Sequence, residues 1–300
     1  MWTSFAPRTR GRSSEQSNTP VQVVQTIRDY HAARAALSGP VGLFPTLGGV
    51  HNGHLALVDR ARSECANVVG WLFLNPTQFG HNEDLDQYPH DQKLDLSLLE
   101  AHGVDLLLIP PLEEIYPDGF DTLVHVGGIT ERLEGARRPG HFDGVTTIVL
   151  KLLNIMQPDR AYFGEKDAQQ LRVVRQLVRD LNLPMEIVAC PTVRDLDGLA
   201  LSSRNAYLSD EERADALALS RGLRLAQEAF ASGQRDADTL RSTVRTELES
   251  APLVLIDYVS LANNETLEEL SGEIRPPALL SLAAHVGTTH LIDNITLHNR

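Results

Sequence analysis

The order of segments predicts an α/β protein: a doubly wound parallel sheet over residues 21–205, then a smaller α+β domain over residues 206–300. Short apolar runs recur at 41–44, 68–74, 104–109, 160–163 and 186–189, as expected of strands buried on both faces. Helical periodicity fills gaps between them. One apolar face carries Phe142, Val145, Ile148, Val149, Leu152, Leu153 and Met156; another carries Leu171, Val174, Val178 and Leu181. After Asn205 the pattern changes. Ser209-Asp-Glu-Glu212 is a capping box that opens a long helix, and Leu240, Val244 and Leu248 mark a second. Strand-like runs at 253–261, 279–285 and 289–295 close the chain.

Composition narrows the function classes. With 300 residues and 42% hydrophobic content, the chain has material for two cores. A net charge of −13 argues against nucleic-acid binding, which needs a basic surface to displace counterions. Cys65 and Cys190 sit in apolar segments without metal-ligand spacing and read as core thiols, in keeping with a reducing cytoplasm. No apolar stretch approaches the ~20 residues of a membrane helix, so no membrane association is expected. Residues 1–20 stand apart: Arg8, Arg10, Arg12 and several serines read as a disordered N-terminal extension.

The first chemical segment follows the run Val41–Phe44. Pro45-Thr-Leu-Gly-Gly-Val-His-Asn-Gly-His54 carries a Gly-Gly turn and then two histidines at the start of a helical pattern with Leu55, Val58, Arg62 and Cys65. A helix start presents unpaired N–H groups and positive dipole, a place suited to phosphate, and glycine lets the backbone approach an anion closely. In a doubly wound sheet, ligands sit beyond the carboxyl ends of the strands, where this segment falls. A second segment, Gly164-Glu-Lys-Asp167, places a lysine at a strand end, either reaching a phosphate or simply solvated. A third, Leu201-Ser-Ser-Arg-Asn205, offers hydroxyls and a guanidinium to polyphosphate oxygens, or else is an exposed linker.

Together the His-x-Gly-His start and the late Ser-Ser-Arg loop resemble the nucleotidyltransferase superfamily, Rossmann-like in fold, that includes class I aminoacyl-tRNA synthetases. The resemblance narrows with Phe73-Leu-Asn-Pro-Thr-Gln-Phe79, Arg138-Pro-Gly-His-Phe142, Phe163-Gly-Glu-Lys-Asp-Ala-Gln-Gln170, Asp197-Gly-Leu-Ala-Leu-Ser-Ser-Arg-Asn205 and Gly287-Thr-Thr-His-Leu-Ile-Asp-Asn-Ile295. In order and spacing these motifs are similar to those of the pantoate–β-alanine ligase (pantothenate synthetase) family, over roughly residues 21–297. The chain departs from the family at Leu47, usually Met, at Gly49, usually Ala, and at Asn52, usually acidic or Gln. Leu for Met preserves an apolar wall of similar volume.

The resemblance implies ATP-dependent condensation of (R)-pantoate with β-alanine through a pantoyl adenylate, releasing AMP and pyrophosphate. Pantoate's carboxylate is already ionised at neutral pH, so its attack on the α-phosphorus needs no general base. What the step needs is positioned donors and cations around the accumulating negative charge. The resemblance makes His54, His51, Lys166 and Arg204 the catalytic set. It gives ATP the segments Leu47, Gly48, Gly49, Val50, His51, Asn52, Gly53 and His54; Gly164, Glu165, Lys166 and Asp167; Val193; and Leu201, Ser202, Ser203 and Arg204. Pantoate falls to Gln78, Gln170 and Asn75, whose amides both donate and accept, with Leu47 against its methyls and Arg138 and His141 near anionic groups. Mg²⁺ is expected on the nucleotide with its protein ligands unknown, and a homodimer in the cytoplasm is implied.

Asp84, Asp86, Asp91 and Asp95 read as a solvated acidic loop rather than metal ligands. His90, His102, His125, His285, His290 and His298 show no ligand spacing and read as structural. Two other readings remain open on the residues alone: another nucleotidyltransferase of the superfamily, and a non-catalytic nucleotide-binding regulator. A tRNA synthetase is disfavoured by the acidic C-terminal part.

Overall fold

The computed structural model describes residues 20–80 and 83–299. The expected N-terminal extension, residue Pro20 apart, lies outside them. The first sheet is fully parallel and contains β1 (Gln22–Val24), β2 (Val41–Thr46), β3 (Asn67–Leu72), β4 (Leu106–Leu108), β5 (Arg160–Gly164) and β6 (Glu186–Cys190). Its order is β1-β4-β3-β2-β5-β6. The helices are α1 (Ile27–Arg34), α2 (Asn52–Glu64), α3 (Gln92–Ala101), α4 (Leu112–Ile115), α5 (Leu133–Arg137), α6 (His141–Met156), α7 (Ala168–Asp180), α8 (Asp210–Ala231) and α9 (Ala237–Glu249). A second sheet, β7 (Val254–Asn263), β8 (Ala278–Val286) and β9 (Thr289–Leu297), is antiparallel throughout.

The chain winds outward from β2 through β3 and β4, then returns to pair β5 against the other edge of β2. That reversal is a topological switch point, and it leaves a crevice beyond the carboxyl ends of β2 and β5. Position along the sheet thus brings the segment after Thr46 beside the segment after Gly164.

Alternation along β2 divides the core. Val41 and Leu43 join Trp71, Leu153 and Val174 on one face, whereas Phe44 joins Val58, Leu107 and Tyr162 on the other. The predicted face of α6 is buried from Phe142 to Met156. A separate apolar cluster unites Leu219, Leu223, Leu240 and Val244 of α8 and α9 with Leu261, Leu280 and Leu282 of the second sheet. The Ser209–Glu212 capping box forms: the Glu212 N–H donates to Ser209 Oγ at 3.2 Å, and the Ser209 N–H donates to Glu212 at 2.9 Å.

Local apolarity misplaced several ends. The run 68–74 leaves the ladder after Leu72, and 104–109 contributes only Leu106–Leu108. Leu181, read as part of the α7 face, is the C-cap and is exposed, because the helix ends before its side chain could reach the core. The edge strand β1 lies outside the apolar runs; it is three residues long and pairs only with β4.

Candidate active site

The Gly48–Gly49 turn leaves β2 with both φ angles positive, +104° and +62°. A Cβ on Gly49 would stand 2.6 Å from the Pro89 carbonyl oxygen, so this chain's backbone path requires glycine there. Asp95 of α3 is buried and anchors the turn by accepting from the Gly49 N–H (3.0 Å) and the Val50 N–H (2.7 Å). Asp91 accepts from the Leu94 N–H as the N-cap of α3. Asp95 is therefore architectural, a correction to its reading as part of a solvated loop, whereas Asp91 caps its helix and stays exposed. Only the fold supplies Asp95 with its backbone donors, 45 and 46 residues away.

His51 is the N-cap of α2, and its Nδ1 accepts from the Gly53 N–H at 3.1 Å. His54 Nδ1 reciprocates by accepting from the His51 N–H at 3.4 Å. The two imidazoles thus form a capping box, their ring centroids 4.2 Å apart. This modifies the expectation that the first-turn N–H groups stay open for a ligand. The consequence is chemical. Acceptance at Nδ1 puts the proton of each neutral ring on Nε2, a donor. Both rings are neutral at physiological pH. Burial, and then Lys166, lowers the His51 pKa to about 4; burial, and then His51, lowers that of His54 to about 3.

Beyond the crevice, one cavity of 260 Å³ gathers residues from every motif segment up to Arg204, while the Gly287–Ile295 segment stays outside it. Leu47, His51, Gly53 and His54 line it from β2 and α2. Gly164, Lys166, Asp167 and Gln170 come from the end of β5 and the start of α7. Val193, Leu201, Ser202, Ser203 and Arg204 come from the segment after β6. Asn75, Gln78, Arg138 and His141 also line it. Gly48, Gly49, Val50, Asn52 and Glu165 do not line it. The first three shape the turn, and Glu165 offers its backbone carbonyl to Asn294.

Several residues that the motifs marked are held by the protein itself. Arg204 forks onto Asp84 through Nε (2.8 Å) and Nη2 (2.7 Å), over the Tyr88 ring. Burial opposes ionisation of Asp84, but this fork outweighs it and the carboxyl lies below its ordinary range. Asp84, too, is a partner rather than a solvated acid. Arg138 pairs with Glu83, its Nε at 2.7 Å, and donates to His141 Nε2 at 3.2 Å. His141 Nδ1 then donates to the Gln78 carbonyl at 2.8 Å. Burial, aided by Arg138, lowers the His141 pKa to about 4. These two residues hold the Gln78 turn.

Ser203 donates to the Gly49 carbonyl (3.1 Å) and accepts from Tyr88 (3.3 Å), tying two motif loops together. The Ser202 hydroxyl accepts from the Arg204 N–H at 3.3 Å, leaving its own proton free to donate. Among the described residues, the carboxylate within ion-pair distance of Lys166 is Asp167 at 3.9 Å. Asn75 is buried and donates to Gln78 Oε1 (3.2 Å) and to the Gly144 carbonyl (3.3 Å). A Cβ at Gly144 would lie 2.2 Å from the Thr77 carbonyl oxygen, so glycine lets α6 press against the turn that carries Gln78.

Sequence reasoning gave no site role to Trp71, in the apolar run 68–74, to Phe73, which opens a motif, or to Tyr88, all of which line the cavity. The first two follow from the strand register, since β3 lies beside β2; nothing local marked Tyr88. Of the histidines read as structural, His102 pairs with Asp59, His125 pairs with Asp143, and His285 packs on His290 across β8 and β9. Cys65 and Cys190 are buried and free, as expected.

The family profile described as pantoate-beta-alanine ligase matches residues 20–296. The chain belongs to the pantoate–β-alanine ligase family. It is 54% identical over 277 residues to the pantothenate synthetase of Roseiflexus sp. strain RS-1, spanning 92% of this chain and 99% of that protein. The crystal structure of pantothenate synthetase from Thermus thermophilus superimposes with a TM-score of 0.89 at 46% identity, covering 93% of this chain and all of that one. The pantoate-beta-alanine ligase of Francisella tularensis, complexed with beta-gamma ATP and beta-alanine, aligns with a TM-score of 0.76 at 32% identity, covering 93% of this chain and 99% of that one. Family membership selects among the open readings: the chain is an ATP-dependent ligase, not a non-catalytic regulator.

Proposed function

We propose that the cavity activates pantoate as an acyl adenylate and then passes the acyl group to β-alanine, giving pantothenate, AMP and pyrophosphate. The carrying observation is the convergence of the His51 and His54 Nε2–H donors, Lys166 and the Ser202 hydroxyl with the amides of Gln78 and Gln170 on one cavity. The donor group meets a polyphosphate; the amides, beside Asn75 and Leu47, meet a hydroxy acid.

In the first step the pantoate carboxylate oxygen bonds to the α-phosphorus, and the bond from that phosphorus to the bridging oxygen breaks, releasing pyrophosphate. Negative charge grows on the non-bridging oxygens. A neutral imidazole N–H stabilises that charge without first losing a proton to solvent, and Lys166 adds a compact cation. Arg204 and Ser203 support the reaction through their ties to Asp84 and Gly49, and Arg204 Nη1, outside the fork on Asp84, remains for the nucleotide. In the second step the β-alanine nitrogen, as the free amine, bonds to the acyl carbon, and the bond from that carbon to the phosphate oxygen breaks. AMP leaves, and the proton lost from nitrogen passes to solvent.

Mg²⁺ fits this site as a companion of the nucleotide. Among the described residues no group of three metal-ligating side chains exists, and Glu83 and Asp84 are engaged by arginines. Asp167 is the cavity carboxylate placed to meet a phosphate-bound ion, as usual for Mg²⁺. Bound there, the ion supplies charge neutralisation for the phosphates. The reading also carries a division of the chain near residue 205, a homodimer and a cytoplasmic location. Among the described residues, no helix is long and apolar enough to cross a membrane.

Labelled pyrophosphate should exchange into ATP with pantoate and Mg²⁺ alone, whereas AMP release should also require β-alanine. Exchange that strictly required β-alanine would refute the two-step order. Chelation of the metal should abolish both signals. A dimer should sediment at twice the chain mass at micromolar concentration.

A further inference from the structure

One polar contact from the second sheet to the loops of the first lies outside the reaction cavity and is unused in the chemistry above. Asn294, on β9 of the antiparallel sheet, is buried. Its amide nitrogen donates to two successive carbonyls of the turn that follows β5: Glu165 at 3.0 Å and Lys166 at 2.8 Å. Both amide protons are therefore spent on the backbone of a turn whose side chain, Lys166, faces the cavity.

The preceding residue is also committed. Asp293 is buried, accepts the Asn294 N–H at 2.8 Å, and receives the Arg194 guanidinium at 2.6 and 2.8 Å. Arg194 lies on a hairpin-like loop, bridged to Ala200, that leads into Leu201–Arg204. Two adjacent residues of β9 thus brace two loops that both contribute to the cavity lining. Neither residue itself lines the cavity.

We propose that Asn294 is a positioning residue for Lys166: it holds the Glu165–Lys166 turn so that the ammonium meets the phosphate charge developed during adenylation. A chain with the first domain intact would then still depend on the second sheet for its phosphate site. This rests on the role proposed above for Lys166. The physical basis is the steep cost of misplacing a charge: displacement by about 1 Å can cost on the order of a hundredfold in rate. Without the amide, two successive carbonyls lose their donor and the turn is free to shift toward other partners.

The test is a double-mutant cycle on pantoate-dependent ATP–pyrophosphate exchange. Asn294→Ala should lower kcat roughly ten- to a hundredfold with the KM for pantoate unchanged. Combined with Lys166→Ala, it should cost little beyond Lys166→Ala alone, because its effect runs through the lysine. Thr296→Val, on the same strand, should leave exchange and melting temperature near those of the parent. Should Asn294→Ala fail to fold, Asn294→Ser, which retains one donor, takes its place in the cycle. Three outcomes overturn the proposal: Asn294→Ala within twofold of the parent, losses that multiply in the double variant, or equal damage from Thr296→Val. A Lys166→Ala enzyme of near-parental activity would overturn the reading of Lys166 and this proposal with it. Multiplying losses beside an impaired Lys166→Ala would overturn this proposal alone.

Discussion

At the residue scale, the two histidines of α2 cap their own helix through Nδ1 and present Nε2–H outward. Removing one positioned donor to a developing oxyanion typically lowers kcat by ~10²–10³-fold. His54→Ala should lose pyrophosphate exchange by that factor while keeping its circular dichroism spectrum, since the ring lines a cavity. Charge state is a separate prediction. An exposed imidazole titrates near 6.5. His51 and His141 hold out to about 4 and His54 to about 3. As pH falls below about 6.5 the unfolded chain takes up these protons and the folded chain does not. Their stabilising contribution is thus complete above about 6.5 and is lost as pH falls through about 4. Melting temperature should decline across that window. Histidine NMR should show His51 and His54 as Nε2–H tautomers that do not titrate between pH 8 and 5; a midpoint near 6.5 for either ring would reject the assignment. The motif spacing marked both rings, but their tautomer was legible only once the capping geometry was known.

At the scale of elements, the turn between β2 and α2 depends on α3. Asp95 accepts from both Gly49 and Val50, and in its buried setting those N–H groups have no ready substitute. Leaving buried donors unsatisfied costs ~1–3 kcal/mol each. Asp95→Ala should lower unfolding free energy in urea by at least about 1 kcal/mol. It should also raise the KM for ATP, because the turn that orients His51 loosens. Unchanged stability would return Asp95 to the solvated acidic loop of the sequence reading. Strand and helix positions were legible because buried strands and amphipathic helices impose local periods of apolarity. Their ends were less so, as Leu181 and the short β4 illustrate: a helix or ladder stops where its partner does, and the partner is distant in sequence.

At the scale of the molecule, the site draws on both sheets, with β9 bracing loops that follow β5 and β6. Residues 1–19 precede the first strand and are rich in arginine and serine. Their composition carries the expectation that the enzyme does not need them. A chain starting at Pro20 should therefore match the full chain in melting temperature and exchange rate, whereas Lys166→Met should raise the KM for ATP, lower kcat, or both. A truncation more damaging than Lys166→Met would put the extension inside the folded enzyme. By itself the sequence determined the α/β alternation, the capping box at Ser209 and the motif residues that name the family, since each is written within a few residues of chain. Only the tertiary structure decided which polar groups stay free for substrate. Arg204 meets Asp84 across 120 residues, and Asn294 meets Lys166 across 128. Such pairings follow from how the strands are ordered in space, and no local spacing encodes them.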